Sequence, residues 1–340
     1  MAGLKRYLPV LACALCAFLL PPLFAAANAA YLLTQLTMSA YYALASLGLC
    51  ALMGYAGQIS LGQAGFFAIG AYASAFISKS DPSISPWIAC ACAVLLAALV
   101  AALIGTPVLR LKGHYLAMAT LGFGIIIEKI ARGTKSLGGA DGLSGVSPFA
   151  ILPGLVVTGG KAARAANFSI AWVVLALGLL ALVNLVHSRA GRALRALRDG
   201  EEAAGAMGVD IAGYKLKVFV IGAVYAAVAG VLLTRYDGSI GPGEASFVKS
   251  VRYVAIVAVG GMDNLTGTLV AGIVLNFLSL RGIFGKYDDA VFGLILVAVM
   301  LFAPEGRALR RAARAALAAR TGRPRSAAGA PQDRGKGAAE

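Results

Sequence analysis

Two stretches of this 340-residue chain carry polar residues in patterns that could do chemistry. The first, Gly54 to Ser78, reads GYAGQISLGQAGFFAIGAYASAFIS and threads Gln58, Ser60 and Gln63 among Gly54, Gly57, Gly62, Gly65 and Gly70. Neutral amides and a hydroxyl beside bare backbone can hydrogen-bond a passing polar solute without trapping it. Gly costs a helix about 1 kcal/mol against Ala, so the cluster marks either close helix packing or a helix broken where its backbone lines a cavity. The second stretch, 188–213, reads SRAGRALRALRDGEEAAGAMGVDIAG. Arg189, Arg192, Arg195 and Arg198 recur every third residue and line one helix face, with Leu194 and Leu197 off that stripe. Gly200 breaks this helix. Glu201 and Glu202 then open a second short helix, where negative charge meets the positive dipole end. Ala203, Ala204 and Ala206 keep it slim, and Gly208 is a natural stop. Such an element suits a groove on a partner protein or an anionic lipid surface.

Catalytic and metal chemistry find no footing. His114 beside Lys112 and His187 at the end of an apolar run read as interfacial residues, and Glu128 reads as a local partner of Lys129. Cys13 and Cys16 have the spacing of some zinc sites, but no second pair or His cluster completes a tetrahedral set. All five cysteines lie in apolar runs and read as small filler. No nucleophile and base converge, so the chain is not expected to be an enzyme, and no metal or cofactor is expected. The Gly282–Lys286 run, GIFGK, is too short for a phosphate loop and is followed by Tyr287. No carboxylate or base stands out inside a span as a fixed ligand, which argues against an ion-coupled secondary transporter.

The elements that must position these stretches follow from composition. The chain is 59% hydrophobic and 13% charged, with a mean hydropathy of +0.81; soluble domains carry about 25% charged residues. Charges cluster between apolar runs of about the length that spans a bilayer. This is an all-α, polytopic membrane protein. The net charge of +15 does not point to nucleic acid, because the Lys and Arg concentrate at the ends of apolar runs and in the tail beyond Arg307, as a topology signal does. Spans are expected at 8–20, 31–53, 54–78, 87–109, 114–130, 168–187, 214–234, 248–262, 266–280 and 290–302. That makes about ten with both termini inside, or eight or nine if the short runs at 248–280 are re-entrant. Residues 8–20 also resemble a secretory signal with a cleavage site; a retained first span is preferred, because the topology closes with it. Residues 1–306 form the transmembrane domain, and 307–340 a basic tail too poor in apolar surface to fold alone. The two halves share a faint likeness: Gln58-Ile59-Ser60 and Asn264-Leu265-Thr266 each follow a Gly-rich break. Paired interrupted helices of this kind point to a midplane path, with Gly54, Gly57, Gln58, Ser60, Gly62, Gln63, Asn264 and Thr266 along it.

Five ordered motifs carry a resemblance to a known family: GYAGQISLGQAGFFAIGAY at 54–72, LKGHYLAMATLGFG at 111–124, GGADGLSGV at 138–146, the 188–213 loop, and GGMDNLTGTLVAG at 260–272. From about residue 31 to 306 the chain resembles the branched-chain amino-acid permeases of ATP-binding cassette importers, and the longer, M-type subunit in particular. The resemblance implies the ABC importer permease fold with Gly-rich broken helices, in the bacterial inner (plasma) membrane. It implies a path for branched-chain, hydrophobic amino acids delivered by a periplasmic solute-binding protein; urea, short amides and other small organic solutes are carried by similar proteins. It implies ABC ATPase subunits and a paralogous permease subunit as partners within the lipid bilayer. In such importers the 188–213 loop inserts into the ATPase, which puts Arg198, Glu201, Glu202, Ala203, Ala204 and Gly208 at the coupling contact. Gly139, Asp141 and Gly142 belong to a shared motif read as a turn or gate.

Overall fold

The computed structural model describes residues 2–26, 31–81, 83–152, 155–157 and 163–302. Met1–Val299 form one compact unit. The expected basic tail at 307–340 lies outside the described residues.

Ten helices match the ten expected spans. They are α1 (Ala2–Ala26), α2 (Tyr31–Cys50, continued by a π turn at Ala51–Tyr55), α3 (Gln63–Ser80), α4 (Pro86–Val108), α5 (His114–Gly133), α6 (Arg164–His187), α9 (Ile211–Asp237), α10 (Phe247–Gly260), α11 (Leu265–Leu280) and α12 (Asp288–Phe302). Between α6 and α9 lie two short helices, α7 (Arg189–Asp199) and α8 (Glu201–Ala206). Among the described residues, five helices are long and apolar enough to cross a membrane: α2 with its π turn, α4, α5, α6 and α9. The all-α class is relieved only by two small antiparallel ladders among the described residues. One pairs β1 (Leu143–Ser144) with β4 (Ser239–Ile240), and the other pairs β2 (Phe149–Leu152) with β3 (Leu155–Val157).

Local chemistry sets the helix boundaries. Ser188, Asp210 and Ser246 precede α7, α9 and α10, and each side chain accepts a hydrogen bond from the backbone N–H three residues on. Gly238, at φ +69°, ends α9 in the left-handed conformation. Small residues decide which faces meet. Along α4, Ala89, Ala93, Ala97, Ala101 and Gly105 recur every fourth residue and are buried, while Leu95, Leu99 and Leu103 project outward. Gly105 faces Leu216 and Phe219 of α9, so α4 docks by its small stripe and leaves its leucines to lipid.

Helix α2 is the central element and is buried along most of its length. Helix α9 runs antiparallel to it, Gly48 facing Gly222 and Tyr41 meeting Tyr236 edge-on at 6.3 Å. Helix α3 runs parallel to α9, where Gly70 and Gly230 admit the opposing backbone. Helix α1 lies antiparallel along α6, joined by Tyr7 Oη to Asn184 at 3.0 Å and by Ser169 Oγ to the Ala17 carbonyl at 2.8 Å.

Candidate functional site

The Gly-rich stretch contains both close helix packing and a helix break, in different parts of it. Gly65 packs on Phe123 and Gly124, and Gly70 on Ala227; these are packing glycines. Gly54, Gly57 and Gly62 belong to a break. The helix ends after Tyr55, Gly57 turns the chain at φ +68°, and helix resumes only at Gln63. The Gln63 side chain reaches the carbonyls of Ala45 (2.9 Å) and Gly222 (3.1 Å). Ala45 lies about 15 Å of helix rise from Tyr55, so residues 56–62 climb non-helically inside the bundle and α3 begins partway through it. Such backbone needs partners in place of a helix ladder. Gln58 N donates to Leu52 O at 3.2 Å, Leu61 N to Thr120 Oγ1 at 3.0 Å, Gly62 N to Ser60 Oγ at 3.4 Å and Ala64 N to Ser250 Oγ at 3.3 Å.

The side chains of the stretch divide in the same way. Gln63 is a strut between α2 and α9. Ser60 is buried and turned onto its own backbone. Gln58 is 3% exposed, yet neither its amide oxygen nor its amide nitrogen has a partner. Leaving such a group unpaired costs about 1–3 kcal/mol.

The second break, between α10 and α11, docks on the first. Cys50 Sγ donates to the Met262 carbonyl at 3.1 Å and Tyr55 Oη to the Asp263 carbonyl at 2.8 Å. A Cβ on Gly54 would overlap the Met262 carbonyl. Asn264 is half-buried where α11 begins, without a side-chain cap bond, and Thr266 is exposed two residues on.

Helix α7 meets the same junction. Leu194 and Leu197 are buried and the four arginines exposed, as the stripe required. Arg198 Nη1 donates to the Gly54 carbonyl, and a Cβ on Gly57 would lie 3.4 Å from Arg198 Cγ. In α8, Glu201 pairs with Lys215 and Ala204 is buried, whereas Glu202, Ala203 and Gly208 are exposed. Met207, which the sequence reading passed over, is 86% exposed beside them.

At the opposite end of the bundle, Gly139 and Gly142 take positive φ angles and Asp141 is exposed. Through β1 and β4 the 138–146 motif lies on the turn after α9, where Gly142 abuts Ile240 and Gly241. Arg235, 1% exposed, fixes this end by donating to the carbonyls of Ser147 (3.0 Å) and Ser74 (3.3 Å) and to Ser78 Oγ.

Two expectations are corrected. Glu128 pairs with Arg132 at 3.0 Å rather than with Lys129, because adjacent helical residues do not face each other and residues four apart do. Two basic residues, Lys249 and Arg252, do stand on α10 within an expected span. Lys249 and Glu244 form an ion pair at 2.8 Å beside Tyr42, and Arg252 binds Asp288, Asp289 and Ser279. Glu244 and Lys249 fall on either side of the Ser246 cap, in what reads from sequence as a Gly/Pro turn, and only the fold brings Tyr42 to them. Among the described residues no cluster of His, Cys, Asp or Glu fit for a metal occurs.

A helical membrane body with two interrupted segments locked together, and a charged two-helix loop bonded to the lock, is the architecture of a transport permease. The chain belongs to the family described as branched-chain amino acid transport system / permease component, whose profile matches residues 31–303. It is 32% identical over 293 residues to the high-affinity branched-chain amino acid transport system permease protein LivM of Escherichia coli (strain K12), covering 79% of this chain and 68% of the relative. It is 26% identical to the corresponding permease protein LivH of Salmonella typhimurium, covering 79% and 92%. It is 28% identical to BraD of Pseudomonas aeruginosa, covering 81% and 94%. No solved structure matches. All of α1 precedes the region matched by the family profile.

Proposed function

We propose that this subunit forms one side of the transmembrane path of an ATP-driven importer for hydrophobic, branched-chain amino acids, in a bacterial inner membrane. A separate ATPase hydrolyses ATP, a paralogous permease completes the path, and a periplasmic binding protein delivers the solute. The substrate class is supported by the relatives, which are branched-chain amino acid permeases by name. The observation that carries the mechanism is the bond from Arg198 to the Gly54 carbonyl. It joins the loop that would sit in the ATPase to the lock between the two breaks, so a shift of α7 and α8 pulls on the broken segment directly.

In this reading Glu202, Ala203, Met207 and Gly208 form the face offered to the ATPase, with Glu201 held from behind by Lys215. The 56–62 segment, with the unpaired amide of Gln58, lines the route; Asn264 and Thr266 bound the second break. Gly139, Asp141 and Gly142 close the far mouth. Helix α1, with Cys13 and Ala17 buried, is a retained span.

The test is co-expression with the ATPase, the paralogous permease and the binding protein, followed by reconstitution in proteoliposomes. Copurification of the ATPase and ATP-dependent leucine uptake are expected. Glu202→Lys should leave the protein in the membrane and abolish uptake while ATP hydrolysis continues. Uptake that persists without ATP and collapses with the proton gradient refutes the reading.

A further inference from the structure

The Glu244–Lys249 pair has no part in the lock or in the α7–α8 loop; it adjoins the far-mouth turn, where Glu244 N donates to the Gly241 carbonyl at 3.2 Å. Tyr42, whose ring lies 4.9 Å under Lys249 Nζ, is about 17 Å of helix rise from Tyr31 and about 20 Å from Tyr55. The chain leaves α9 at Asp237 and turns inward through Pro242–Ala245, which packs against α3 and α5. It starts α10 only there, so the pair stands within the bundle. Ionised side chains at such depth are costly and mark functional sites.

The surroundings are those of a receptor for a small charged solute. Glu244 and Lys249 are 21% and 22% exposed, so the pair is reachable. The Tyr42 hydroxyl donates to both Glu244 carboxylate oxygens at 3.3 Å. Tyr42, Phe67 and Tyr253 form an aromatic wall with ring centres 6.0–6.4 Å apart. Tyr253 follows Lys249 by four residues and shares its helix face. Its hydroxyl is buried, has no partner, and lies within electrostatic reach of Glu244. The positive end of α10 reinforces Lys249. The nearby Arg252 is held by Asp288 and Asp289, and Lys249 is the ion-pair partner of Glu244, with the Asp237 carboxyl within electrostatic reach of Glu244 and Tyr42.

We propose that Glu244 and Lys249 bind the α-ammonium and α-carboxylate of a zwitterionic amino acid, with Tyr42 and Tyr253 completing the polar shell. One internal ion pair opens and two ion pairs to the ligand replace it. The ligand carries no net charge, so its binding adds none to the site. The Tyr253 hydroxyl gains the acceptor it lacks, and the partly exposed ring of Tyr42 lies beside the apolar side chain. This rests on the amino-acid reading given above and adds where the two charges are held.

The test uses the assembled importer. Glu244→Gln with Lys249→Met removes both charges together and leaves neither unpaired, so the complex should still elute intact. The KM for binding-protein-dependent L-leucine uptake should rise at least tenfold. An unchanged KM in the intact complex overturns the proposal. On the unmodified complex without binding protein, saturation-transfer NMR should detect L-leucine. A hundredfold excess of 4-methylpentanoate or of leucinamide, each with one of the two charges, should not displace it. Displacement by either at leucine's own concentration, or leucine transport with no such binding, also overturns the proposal. If the unmodified importer carries another solute and not leucine, the amino-acid reading itself fails, an outcome distinct from leucine transport that ignores the pair.

Discussion

Replacing Arg198 with Ala is the sharpest test of how the loop commands the path. The change removes the guanidinium hydrogen bond to the Gly54 carbonyl and the aliphatic stem that lies against Gly57. A hydrogen bond from a charged group has a net value of about 1.5–3 kcal/mol. Arg198 is exposed and water competes for it, so about 1–1.5 kcal/mol is the reasonable share. Switching a two-state path from 1:99 to 99:1 needs about 5.5 kcal/mol of differential free energy. Losing about 1–1.5 kcal/mol of it lowers the coupling factor roughly five- to tenfold without abolishing transport. The assay is the ratio of binding-protein-stimulated to basal ATP hydrolysis in proteoliposomes. That ratio should fall roughly five- to tenfold in Arg198→Ala and stay unchanged in Arg192→Ala, a control on the same exposed stripe. An unchanged ratio in an intact Arg198→Ala complex would refute the mechanical link.

Three further outcomes are expected. Gly54→Ala forces a methyl into the Met262 carbonyl and should cost about 1–3 kcal/mol, seen as a lower unfolding midpoint in detergent. Gly122→Ala, with open space around it, should not lower it. Gln63→Leu removes two buried hydrogen bonds and should destabilise by about 1–3 kcal/mol with no change in the KM for leucine; a raised KM at unchanged stability would make Gln63 a ligand rather than a strut. Intact-mass measurement of the purified subunit should include residues 2–26, and a mass lacking them would show α1 to be a cleaved signal.

What could be read from the sequence depended on how local the physics was. Apolar runs and their charged ends placed the helices, because burying a helix in lipid is a property of one segment. The Arg stripe and the Glu pair placed α7 and α8, with Gly200 dividing them, for the same reason. The role of Gln63 was not legible, because its partners are carbonyls of α2 and α9, and a Gln that braces a bundle looks like one that faces a solute. The Glu244–Lys249 pair was hidden more deeply. Its two ions are five residues apart and straddle a helix cap, so no helical spacing joins them, and Tyr42 precedes Glu244 by 202 positions. The contact between the two breaks could be anticipated only as a likeness of three residues. That they touch is a fact of packing.

The α3 start has a consequence for how the chain is made. Ala64 N–H waits for Ser250 Oγ, 186 residues later, and Gln63 for the Gly222 carbonyl, 159 residues later. At about 5–20 residues per second, a ribosome needs roughly 9–37 s to supply Ser250 after Ala64 has emerged. Throughout that interval the start of α3, at Gln63 and Ala64, holds polar groups whose final partners do not yet exist, which lipid does not satisfy. The insertion machinery or its water must shelter this segment until the last third of the chain arrives. Truncations between 222 and 250 should therefore be degraded rather than accumulate as stable fragments.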